Sequence, residues 1–88
     1  MKEIKPKILD CTLRDGGYYN NWNFSINLIN EYLEAMDAAR VDIVEIGFRF
    51  LKSNDFLGPC AFSKEDFLKT LVIPNSIDIA VMINCSDL

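Results

Sequence analysis

The 88 residues contain no histidine. That removes the commonest metal ligand, the commonest general base and every Ser-His or Cys-His nucleophile pair, so any chemistry falls to carboxylates, Arg, Lys, Tyr or Cys. Cysteine is scarce and odd in number: Cys11, Cys60 and Cys85 are widely spaced and form neither a disulfide framework nor a CxxC metal or redox motif. Reduced thiols are expected, as in a cytosol. Positive charge is also in deficit, with nine Lys plus Arg against thirteen Asp plus Glu, a net charge of -4 and a pI near 4.6. With no basic stripe to follow a phosphate backbone, nucleic acid is not an expected partner. Apolar runs last only a few residues, far short of the ~20 that cross a bilayer. The Met1-Lys2-Glu3 opening has no apolar segment of the signal-peptide kind. No membrane contact and a cytoplasmic location are the expectations.

What is present is ordinary for a packed protein. Half of the residues are apolar and a quarter are charged, which excludes a disordered tail, a collagen and a coiled coil. One small domain can be built from this length, whereas a closed (β/α)₈ barrel needs roughly 250 residues.

Along the chain, Ile8 to Thr12 is a short apolar run that predicts a strand. Arg14 to Asn23 carries two glycines, three asparagines and three aromatics without a period, and predicts an irregular loop. Leu28, Ile29, Tyr32, Leu33 and Met36 share one helical stripe opposite Glu31, Glu34 and Asp37, with Ser25 as N-cap. Val41 to Ile46, ending at Gly47, predicts a second strand. A second irregular stretch runs from Phe48 to Phe62. Ser63, with Asp66 three residues on and Phe62 and Phe67 as a hydrophobic staple, then predicts a helix to about Val72. Pro74 and Asn75 break it, and Ile77 to Ile83 predicts a third strand. Strand, helix, strand, helix, strand is the order of an α/β protein with parallel pairing. The last strand is left with an open edge, suited to a partner or a second copy.

In parallel α/β sheets ligands bind at the carboxyl ends of the strands, so the loops after Thr12, Gly47 and Ile83 should face one region. The first holds Arg14 and Asp15 beside Gly16 and Gly17. A carboxylate suits a hard divalent cation, a guanidinium suits negative charge developing on oxygen, and glycines let the backbone turn tightly against a ligand. The same residues also read as a solvated charge pair and a plain turn.

The full string Leu9-Asp10-Cys11-Thr12-Leu13-Arg14-Asp15-Gly16-Gly17 shifts the balance between these readings. It resembles the Asp-x-Thr-Leu-Arg-Asp-Gly signature at the first strand of the DRE-TIM (HMGL-like) metallolyase superfamily. That superfamily includes 4-hydroxy-2-oxovalerate aldolases, 3-hydroxy-3-methylglutaryl-CoA lyases, 2-isopropylmalate synthases and homocitrate synthases. Val41-Asp42-Ile43-Val44-Glu45-Ile46-Gly47 is similar, more loosely, to the family's second strand. The Gly-Gly-Tyr-Tyr-Asn-Asn-Trp continuation is most like 4-hydroxy-2-oxovalerate aldolases.

The resemblance implies that residues 1–88 are the N-terminal portion, an incomplete domain, of an aldolase-type TIM barrel. It implies retro-aldol cleavage of a 2-oxo acid substrate to pyruvate and an aldehyde. Arg14 matches the arginine that stabilises the enolate, and Asp15 matches the carboxylate ligand of a divalent metal, Mn²⁺ or Mg²⁺ with occasional Zn²⁺. Arg14, Gly16 and Tyr18 are the implied substrate contacts, and Glu45 is a catalytic-site carboxylate. The family's His-x-His ligand pair has no counterpart here. Where synthases carry Gly-Glu-Gln and characterised aldolases a histidine, this chain has Gly17, Tyr18 and Tyr19.

Other residues stay open at this level. Glu45 is a substrate-site group or the partner of Arg14 or Arg49 in a structural ion pair. Asp10 either faces the barrel mouth or is satisfied by nearby backbone. Tyr18 and Tyr19 are phenolic acid-base groups or rim residues. Trp22 and Phe24 are expected as lids over the first helix, Cys11 and Cys85 as buried inert thiols, and Arg49 as a carboxylate binder or a surface residue. The rival to an enzyme is a non-catalytic α/β module that self-associates or binds a partner through its open sheet edge.

Overall fold

Residues 5–50 and 57–84 are described by the computed structural model. Three parallel strands form one sheet in the order β1-β2-β3, comprising Leu9–Asp10, Ile43–Phe48 and Asp78–Met82. The α/β class and the parallel pairing predicted above are found. Registers put Leu9 beside Ile43 and Asp10 beside Val44, then Ile43 beside Asp78 and Val44 beside Ile79. The sheet continues past β1 because the Ile8 carbonyl accepts from the amides of Asp42 and Ile43, both at 3.0 Å. In return the Asp42 carboxylate accepts from the Ile8 amide at 2.8 Å.

Between Glu45 and Gly47 the β2–β3 register slips, so Ile46 is an extra residue on β2. A bulge of this kind bends a strand and re-aims the side chains around it. Gly47, with φ 158°, is required beside it, since a Cβ there would stand 2.1 Å from the Cys60 carbonyl oxygen.

The long helix spans Ile26–Ala38 and is called α2, after the short α1 at Thr12–Gly16. Ser25 caps α2 as its sequence predicts, its Oγ accepting from the Leu28 amide at 3.1 Å. Ile29 and Leu33, one turn apart, are fully buried against Val44 and Ile46 of β2 in the common core, with Tyr32 and Met36 packed at its margin. Leu28 departs from the expected stripe and lies exposed. Burial on the 29/33 face leaves it about 120° round the helix from the centre of contact.

Two expectations fail in short elements. Ser63 does not begin a helix. It is a left-handed residue (φ 43°) ending α3, Pro59–Phe62, and its buried hydroxyl donates to the Cys60 carbonyl at 3.1 Å. The helix that follows, α4, is only Glu65–Leu68 with Lys64 at its cap, and stops short of Val72. The run from Arg14 is likewise not irregular: α1 carries Arg14 and Asp15, and a 3₁₀ turn follows at Gly17–Tyr19. No helix among the described residues is long and apolar enough to cross a membrane.

Candidate active site

The site grows from the carboxyl end of β1. Asp10, its last residue, is satisfied locally: its carboxylate accepts from the Thr12 amide at 3.1 Å, from the Thr12 hydroxyl at 3.0 Å and from the phenol of Tyr32 on α2. These bonds turn the chain out of the strand and into α1. The Tyr32 phenol is pushed up to about 12, first by burial and then by its bond to Asp10. Asp10 is therefore a structural hinge tied to backbone and helix.

One turn later Arg14 lies over β2. Its Nε donates to the carboxylate of Glu45, and its Nη1 stands 3.3 Å from Asp15 Oδ1. The Glu45 side chain is 10% exposed, Arg14 23% and Asp15 62%. Glu45 comes from mid-sheet, where an unpaired charge is costly, so its ion pair with Arg14 answers its burial. The hydrogen bond that Arg14 donates to Glu45 holds the guanidinium charged, above its ordinary range. The structure thus brings Arg14, Asp15 and Glu45 together, and of the two pairings considered for Glu45 it shows the one with Arg14. Arg49 turns instead to the Ser63 carbonyl at 2.9 Å and the Glu65 carboxylate at 3.1 Å.

Asp15 presents an exposed carboxylate, the kind of hard oxygen donor that Mn²⁺ or Mg²⁺ takes. As a ligand it fits, but singly. Among the described residues no group of three His, Cys, Asp or Glu side chains is placed to hold a metal ion. Cys11, expected as a buried thiol, is half-exposed at the head of α1, with Sγ 3.5 Å from Asp15 Oδ2. That bond, above all, pushes its thiol up and keeps it protonated. The buried cysteine is Cys60, whose thiol burial raises to about 12. Cys85 lies outside the described residues.

Neither glycine serves as a flexible turn here. Gly16 and Gly17 both have helical φ, -66° and -60°. A Cβ on Gly16 would meet nothing nearer than Phe24 at 3.9 Å, so it leaves an open flank beside Asp15. A Cβ on Gly17 would fall 1.8 Å from the Trp22 ring. Trp22 is thus no lid. It is buried in the core, meets Tyr18, Phe48 and Phe50 edge-on at 4.8, 5.4 and 5.5 Å, and donates from its indole nitrogen to the Arg14 carbonyl at 2.9 Å. Tyr18 is exposed at the rim of that cluster, and Tyr19 is almost wholly in solvent. The roles of Trp22 and Tyr32 escaped the sequence. Each is a polar tip on an aromatic ring, which marks a wish for one partner without naming it.

No protein-family model and no curated protein matches the chain. A solved structure does, described as the "N-terminal domain of a putative aldolase from Bacteroides vulgatus", at 38% identity and a TM-score of 0.84 over 94% of this chain. This chain resembles an aldolase N-terminal domain. It spans 28% of the length of that protein's chain. Arg14, Asp15 and Glu45 stand around the end of β1 and the bulged part of β2.

Proposed function

We propose that the chain is the N-terminal part of a divalent-metal-dependent aldolase that cleaves 4-hydroxy-2-oxo acids to pyruvate and an aldehyde. The observation that carries this reading is the Arg14–Glu45 ion pair with Asp15 exposed beside it, set at the end of β1 in an aldolase-like fold. Asp15 would hold the cation, Mn²⁺ or Mg²⁺, with further ligands contributed from beyond the described residues. When bound, such an ion supplies Lewis acidity toward a 2-oxo group.

The chain's own residues do the rest. Glu45 takes the Nε–H of Arg14 and fixes the plane of the guanidinium, so its terminal nitrogens can meet negative charge as it develops on the keto oxygen. Gly16 leaves room for a substrate to approach the backbone, and Tyr18 lines the rim. The 88 residues alone are expected to be inactive, because one carboxylate does not hold Mn²⁺ firmly.

The test joins this segment to the strands that complete a barrel and follows pyruvate release from a panel of 4-hydroxy-2-oxo acids with and without Mn²⁺. Metal-dependent turnover is expected, and Arg14→Ala is expected to lower kcat by about 10²-fold or more. Turnover indifferent to metal, or an Arg14→Ala variant as active as its parent, defeats the reading.

A second reading, a non-catalytic module, draws on the apolar side chains at the two outer strands. Leu9 on β1 and Ile83 just past β3 are each about half exposed, at 50% and 51%. Paired edges between copies would cover them. Sedimentation across a range of concentrations tests it, and a monomer throughout excludes self-association.

A further inference from the structure

The turn that follows α1 is strained in a way the site alone does not require. Asn21 and Trp22 are consecutive residues in left-handed backbone, with φ of 58° and 55°. Asparagine visits that region readily, but for a bulky aromatic residue it is an outlier that surrounding structure must enforce.

The enforcement is visible. The Trp22 amide donates to the Gly17 carbonyl at 3.0 Å. Gly58 donates to the Asn21 carbonyl at 2.7 Å, and a Cβ on Gly58 would stand 2.4 Å from the Trp22 carbonyl oxygen. Gly17 clears the space the indole fills. The outcome of all this is one bond, from the indole N–H to the Arg14 carbonyl at 2.9 Å. A five-residue helix leaves most of its carbonyls without partners inside the helix. The Gly17 amide serves Leu13, and the indole serves Arg14.

We propose that Trp22 is a positioning residue for Arg14: its indole N–H, held by the left-handed turn and the aromatic cluster, ties down the Arg14 carbonyl and so fixes where the guanidinium meets Glu45. Arg14 is then held at both ends, by Trp22 on its backbone and by Glu45 on its Nε. The purpose of such fixing rests on the lyase reading above, whereas the geometry does not. Trp22 touches no reacting atom in this scheme and acts through Arg14 alone.

The experiment reads Arg14 directly and needs no turnover, so its failure and that of the lyase reading are told apart. Solvent exchange of the Arg14 Nε–H is followed by NMR in the 88-residue chain, the signal being assigned by its loss in Arg14→Lys. In Trp22→Phe, which keeps an aromatic ring and removes the donor, that proton is expected to exchange about tenfold faster, while the core amides of Ile29 and Leu33 stay as protected as in the parent. A purely structural role predicts that Arg14 and the core loosen together in every variant that lacks the indole N–H, a shape-matched one included, and that result overturns the proposal. So does an Arg14 proton unchanged in the variant. Should phenylalanine disturb the packing, β-(3-benzothienyl)alanine at position 22 keeps the bicyclic shape without the N–H. The same faster Arg14 exchange is expected with it, and an unchanged rate is equally fatal.

Discussion

Two thiols in this chain differ by environment more than by chemistry, and the difference is measurable. Cys60 is fully buried and its thiol stands at about 12, raised by burial from an ordinary 9.0. Cys11 is half-exposed but kept protonated by its bond to Asp15. Iodoacetamide at pH 8, with modified sites mapped by peptide mass, is expected to label Cys11 slowly and Cys60 only on unfolding; rapid labelling of Cys60 in the folded chain contradicts its placement. The same shifts set a pH dependence. Cys60 and the Tyr32 phenol both titrate higher in the folded state than in the unfolded one, where they lose protons near 9.0 and 10.0. Their contribution to stability is therefore complete below pH 9 and is lost as the pH climbs toward 12. Urea midpoints are expected to fall between pH 9 and 11, and Tyr32→Phe to flatten the part of that fall above pH 10. A midpoint constant to pH 11 opposes this account.

At the scale of elements, α2 separates what a helix stripe promises from what tertiary contact selects. Leu33→Ala, at a fully buried position, is expected to cost about 2–5 kcal/mol, whereas Leu28→Ala at an exposed one is expected to stay within about 0.5 kcal/mol. Denaturant melts of the two variants check this, and equal losses would mean that α2 is rotated from the face described. The elements legible in the sequence were those with enough residues to show a period or a run: α2 with its Ser25 cap, β2 and β3. The short helices were not. Four or five residues hold barely one turn, too few for a 3.6-residue pattern and too few to be stable without tertiary support. Ser63 shows why local rules mislead there: an acid three residues on looks like a capping box, but burial and a left-handed backbone make the serine a terminator. In the site, Arg14 and Asp15 were legible because a contiguous motif carries them. The bond from Trp22, eight residues away, and that from Tyr32, twenty-two from Asp10, depend on how α1 and α2 meet the sheet, which no local pattern encodes.

On the scale of the whole molecule, β2 is flanked on both sides, while among the described residues β1 and β3 each have a free side. The two free sides are unequal: β1 offers two residues and β3 five. If copies associate through their edges, β3 should dominate, since more backbone groups can pair along it. A lysine at Ile83 is then expected to reduce concentration-dependent association more than a lysine at Leu9, as read by sedimentation. The reverse order would point to β1 as the contact.

The chain contains one tryptophan, and the structure places it against the backbone of the very residue proposed to act on substrate. Its emission is thus a built-in gauge. Anything that loosens or tightens the turn around Arg14 should alter the intensity or wavelength of that light, with no label attached, so ligands for this segment can be screened in a cuvette before any reaction is known.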